Sequence, residues 1–107
     1  MAYQYIVTSE ADEDMLEIED YVLTSSQDPD RVDELDRAFV ATFKKLCQYP
    51  LWHPVYQFPE GMQPSHEYRS VNVDSYKVFY RVDEERELVL VYRIRHAASD
   101  FTAVEFG

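Results

Sequence analysis

Residues 67–96 read EYRSVNVDSYKVFYRVDEERELVLVYRIRH, and apolar residues recur at every second position through three runs separated by short polar breaks. Period two marks a half-buried strand. Three antiparallel strands follow, over Glu67–Val73, Tyr76–Val82 and Glu87–His96, joined by turns at Asp74-Ser75 and Asp83–Arg86. In the middle strand Tyr76, Val78, Tyr80 and Val82 share one face, and Lys77, Phe79 and Arg81 share the other. The first set is expected to pack on the rest of the domain and the second to look outward.

The period changes upstream. Tyr3–Thr8 (YQYIVT) alternates as a short opening strand, and Ser9 with Asp12 then forms a carboxylate variant of the capping box. Ala11, Met15, Ile18 and Val22 fall at helical spacing, with Leu16 and Tyr21 widening the stripe and acidic residues on the far side. Asp28 caps a second helix with Pro29 at its first position, and Val32, Leu35, Phe39, Phe43 and Leu46 form its stripe. Tyr49-Pro50 stops it. A short polar turn between two helices makes an antiparallel hairpin.

Residues 50–66 carry four prolines and Gly61, so regular structure there is short, with Val55–Phe58 expected as an edge strand. Trp52, His53, Tyr56 and Phe58 are expected to form a satellite core over one sheet edge. Cys47, one position off the second stripe, reads as a small core residue. The fold class is therefore α+β, in one domain over 1–107: an N-terminal strand, an antiparallel two-helix hairpin, then a three- to four-stranded antiparallel sheet.

The chain has 107 residues, 21 acidic and 10 basic, and a formal charge of −11, with 46% hydrophobic and 15% aromatic residues. That is a globular composition. One cysteine excludes a disulfide framework. His53, His66 and His96 have no metal-ligand spacing, and no glycine-rich phosphate loop exists, so no metal and no cofactor is expected. No membrane partner is expected either, because no apolar run reaches the length of a span. A cytoplasmic location follows as the expectation. The charge is lopsided: residues 1–36 hold twelve acidic side chains against Arg31 alone, and the rest of the chain is balanced. Such a field steers poorly toward polyanions.

The order β-α-α-β-β-β, with the strings YIVTSEADEDMLEIEDYV, LCQYP and YRSVNVDSYKVFYRVDEERELVLVYRIRHAASDF, resembles the RelE/ParE superfamily of type II toxin–antitoxin toxins. Ala11, Met15 and Ile18 match the family's first helix. Arg69, Tyr76–Tyr80, Arg93–His96 and Asp100 match its strand pattern. The resemblance implies a growth-inhibiting toxin held by a cognate antitoxin. It also implies DNA gyrase as target in ParE-like members, mRNA in the ribosomal A site in RelE-like and YoeB-like nucleases, or no target beyond the antitoxin in a degenerate, binding-only member.

For the nuclease, the resemblance casts Lys77 as the phosphate-holding cation, His96 as the proton shuttle and Arg69 as a further cation, three catalytic candidates. Such chemistry needs a base, an acid and cations around the transferring phosphorus. Arg81, Arg93, Arg95 and Phe79 are binding candidates, with Arg93 also expected to pair with Asp100 or a tail carboxylate. Parity places Arg93 and Arg95 with Val89 and Val91, opposite His96, unless a bulge intervenes. Two departures favour binding over cleavage. The segment VYQF lacks the lysines of RelE-like enzymes, and Ala97 follows the histidine where a terminal tyrosine would stack. The antitoxin segment is expected to be apolar and basic, to meet the acidic hairpin.

Overall fold

The computed structural model describes residues 3–98. The elements run β1 (Gln4–Val7), α1 (Ser9–Ser26), α2 (Pro29–Gln48), β2 (Arg69–Val73), β3 (Tyr76–Asp83) and β4 (Leu88–His96). They build one four-stranded sheet in the order β1-β4-β3-β2. β2, β3 and β4 form the expected antiparallel meander. β1 pairs parallel to β4, from Gln4 opposite Leu88 to Val7 opposite Val91, so the sheet is mixed rather than wholly antiparallel. Tight turns force antiparallel neighbours only where strands are adjacent in sequence; β1 and β4 are about eighty residues apart.

α2 is capped as its sequence requires, with the Asp28 carboxylate accepting from the Asp30 N–H at 3.0 Å and Pro29 in the first turn. α1 begins one residue earlier than its Ser9 suggests: Thr8 is the cap, and its Oγ1 accepts from the Ala11 N–H at 3.2 Å. Between helices and sheet, Ala11, Leu35, Phe39 and Phe43 pack on Val73, Tyr76, Val78, Val91 and Ile94. Leu46, Tyr80 and Val89 extend that core toward the end of α2.

Four expectations fail. Trp52 does not join a satellite core with Tyr56 and Phe58; it is 65% exposed. Leu16 and Tyr21 do not widen the buried stripe of α1; they are 60% and 68% exposed. They lie about 140° and 80° around the helix from Ala11, outside the arc that α2 and β4 cover. Phe79 does not look outward, because Tyr56 lies edge-on to it at 5.0 Å and closes over that face. Together with Phe58 and Tyr68 it forms an aromatic roof on the face away from the helices. Val55–Phe58 forms no strand, only an isolated bridge from Val55 to Arg69. The molecule is thus three layers: helices, sheet and aromatic roof.

Candidate functional site

β4 outruns its neighbour. β1 stops at Val7, so the backbone of β4 beyond Val91 would present unpaired groups on a core strand. α1 satisfies them with side chains. Thr8 Oγ1 donates to the Tyr92 carbonyl at 2.9 Å, and Asp14 Oδ2 accepts from the Ile94 N–H at 3.0 Å. The same carboxylate receives Arg93 Nε at 2.8 Å and Nη2 at 3.1 Å. Arg93 is therefore occupied by Asp14 of the first helix. Asp100, its expected partner, lies outside the described residues. Asp14 was missed as a functional position, although it sits at i+3 from Ala11 on a stripe otherwise apolar, which is the signal for a buried, partnered carboxylate.

The strand register shifts between Phe79 and Tyr80: Arg93 faces Phe79 while Val91 faces Tyr80, leaving Tyr92 as the extra residue. This bulge lets Val89 and Val91 share the helix face with Ile94 and His96, and turns Arg93 and Arg95 to the other side.

That geometry distributes the candidate residues. Lys77 and Arg95 are register partners on the roof face, and Lys77 Nζ donates to Asn72 Oδ1 at 3.3 Å and lies 5.9 Å from the Tyr56 ring. Arg81, two residues past Phe79 on the same face, lines a small cavity of about 210 Å³ with His66, Tyr68 and Tyr92. Phe79 and its roof separate Lys77 from Arg81. Arg69 belongs to the helix face, opposite Tyr80, and its guanidinium donates to the carbonyls of Leu51 and His53.

His96 is on the helix face at the far end of β4, with its ring edge-on to Tyr76 at 5.6 Å and its Nδ1 accepting from the Ala98 N–H at 3.2 Å. It borders an open cavity of about 510 Å³ with Glu17, Tyr21, Ser75 and Arg95. From Arg69 it is removed by four residues along the strands, about 13 Å, and two strand spacings, about 10 Å. Lys77 leaves the sheet on the opposite face, although its register partner Arg95 also lines this cavity. The three catalytic candidates do not converge.

Burial, a hydrogen bond to Asp36 and the charges of Asp36, Asp12 and Asp33 push the Glu19 carboxyl up to about 7. Burial raises the Tyr80 hydroxyl to about 12, and it donates to the Pro50 carbonyl at 3.4 Å. Burial also raises the Cys47 thiol, which suits a packing residue rather than a nucleophile. Among the described residues no group of three or more His, Cys, Asp or Glu side chains is placed to hold a metal ion, and no helix is long and apolar enough to cross a membrane.

A family model described as "ParE toxin of type II toxin-antitoxin system, parDE" matches residues 5–101. The chain belongs to the ParE toxin family. No curated protein matches the sequence. Among solved structures, this ParE-family chain is similar to one in the chromosomal ParDE toxin–antitoxin system of P. aeruginosa, at 17% identity and a TM-score of 0.68, covering 90% of this chain and 96% of that one. It is similar to a chain of the archaeal RelE–RelB complex from Pyrococcus horikoshii OT3, at 14% identity and a TM-score of 0.61, covering 94% and 100%. It is also similar to one in the toxin–antitoxin complex RelBE2 from Mycobacterium tuberculosis, at 20% identity and a TM-score of 0.57, covering 90% and 99%. At these identities the likeness is one of fold.

Proposed function

We propose that this ParE-family protein is a cytoplasmic toxin that inhibits growth by binding DNA gyrase, without cleavage chemistry of its own, and is neutralised by a cognate antitoxin. The reading is carried by the dispersal of Lys77, Arg69 and His96 over two faces and both ends of the sheet. Phosphoryl transfer by 2′-hydroxyl attack needs its acid, base and cations within hydrogen-bonding reach of one phosphate. Here Arg69 is committed to two backbone carbonyls and His96 Nδ1 to the Ala98 N–H. The three solved relatives come from toxin–antitoxin systems, which supports an antitoxin as partner. Its docking face is the acidic hairpin, where Leu16 is exposed beside Glu13, Glu17 and Asp20, so its segment is apolar and basic.

The alternative, ribosome-dependent mRNA cleavage, draws on the adjacency of Lys77, Arg95 and Asn72, a set able to hold a phosphate. Primer extension on a defined mRNA in a reconstituted translation system separates the two. The expected result is no codon-positioned cut from folded protein. Cuts that require ribosomes and vanish in Lys77→Ala and in His96→Ala overturn the binding reading.

A further inference from the structure

At the end of α2 the chain turns back on itself and leaves three large apolar side chains in water within four residues: Tyr49 at 54% exposure, Leu51 at 49% and Trp52 at 65%. Isolated exposed apolar residues are ordinary, but a contiguous patch marks a binding surface. This one is held in place. The Trp52 N–H donates to the Tyr49 carbonyl at 3.2 Å, the two rings meet edge to face at 5.2 Å, and Lys45 Nζ lies 5.4 Å from the Trp52 ring. Arg69 grips the same turn from the sheet through the Leu51 and His53 carbonyls. Between the turn and α2 lies a cavity of about 290 Å³, lined by Thr42, Lys45, Leu46, Tyr49, Trp52 and Val71 among others.

The charge of this knuckle is opposite to that of the chain. No Asp or Glu occurs between Asp36 and Glu60, whereas Arg37, Lys44 and Lys45 do, in a protein of net charge −11. Burial and the Lys45 charge lower the His53 pKa, so its ring stands neutral beside Lys45 at neutral pH. α2 is twenty residues long, so the knuckle lies about 30 Å along that helix from the acidic turn at Asp28 and Asp30.

We propose that the Tyr49–Trp52 knuckle is a second docking surface, distinct from the acidic hairpin, for a protein segment carrying one large apolar side chain flanked by carboxylates. The apolar side chain enters the cavity between Trp52 and α2, and a flanking carboxylate meets Lys45 at its rim. Exposed Trp and Tyr anchors around a desolvated pocket are what binding hot spots are made of. Basic residues interleaved with aromatics also suit single-stranded nucleic acid. A chain of this net charge repels a polyanion along its whole length, however, while a short acidic segment meets only the local field.

Trp52 is the only tryptophan, so its emission reports the knuckle directly. The test selects short random peptides on the folded chain by phage display and titrates the winners, with oligothymidylate as the competing probe. Enriched peptides are expected to be acidic around an aromatic or large aliphatic residue and to shift Trp52 emission to the blue. They are expected to weaken with salt and to lose roughly tenfold or more in affinity for Lys45→Glu and for Trp52→Ala, read by anisotropy of labelled peptide. Circular dichroism verifies the fold of both variants, and Lys45→Glu alone suffices if Trp52→Ala is poorly folded. The proposal is overturned by no enrichment, by enriched peptides that are basic, by affinity indifferent to Lys45→Glu, or by oligothymidylate shifting Trp52 at lower concentration than any peptide.

Discussion

Asp14→Ala removes the carboxylate that, beside the Thr8 hydroxyl, closes the overhanging edge of β4. Three hydrogen bonds go with it, two from the Arg93 guanidinium and one from the Ile94 N–H. The Ile94 residue is buried, and an orphaned backbone donor costs about 1–3 kcal/mol. Breaking a buried ion pair costs about 3–5 kcal/mol, and here the lower end applies because the Arg93 side chain keeps 18% exposure and recovers some hydration. The two losses overlap, so the expected destabilisation is about 4 kcal/mol, a large share of a typical domain's total stability. Asp14→Asn keeps one oxygen for the Ile94 N–H and Arg93 Nε but loses the charge and the acceptor for Arg93 Nη2, for about 2 kcal/mol. Urea denaturation followed by circular dichroism measures both, with exposed Glu13→Ala as control. If Asp14→Ala falls within about 1 kcal/mol of that control, the edge-closing role of Asp14 is refuted.

Phe79→Ala is expected to cost about 3–5 kcal/mol as a core truncation, whereas Lys77→Ala, its neighbour on the same face, stays within about 0.5 kcal/mol; urea midpoints compare them. The Glu19 carboxyl is raised from 4.5 to about 7, so the folded state binds more protons than the unfolded one between those values. Its contribution is present below about 4.5 and is lost as pH rises through about 7, and Glu19→Gln removes that part of the pH dependence. Denaturation of both proteins across this range tests the sign, and a wild-type curve that parallels Glu19→Gln contradicts it. Arg69→Ala frees the turn at Leu51 and His53, and limited proteolysis is expected to cut faster within residues 50–66 than in the wild-type chain.

The elements were legible wherever one period ran long enough to speak. Val32 to Leu46 on α2 and Tyr76 to Val82 on β3 picked out the faces that pack between helices and sheet, and Asp28-Pro29 marked a helix start. The aromatic roof was illegible because the proline-rich stretch that carries Tyr56 and Phe58 has no period, so nothing local told Phe79 apart from Lys77. The bulge at Tyr92 left a trace: Val89, Val91 and Ile94 are spaced two and then three, and the extra residue is what the register shift absorbs. The parallel partner of β1 and the Asp14–Arg93 pair depend on contacts across most of the chain, beyond any local window. The candidate residues were legible as types at family positions. Their dispersal was not, because strand parity, the bulge and the capture of Arg69 by two carbonyls are tertiary facts.

A gyrase supercoiling assay on relaxed plasmid DNA addresses the binding reading most directly, with purified chain beside a double variant Lys77→Ala/His96→Ala. Inhibition by both proteins at similar concentrations, relieved by a cognate antitoxin, is the expected result. Folded protein that leaves supercoiling untouched at every concentration contradicts gyrase as the target.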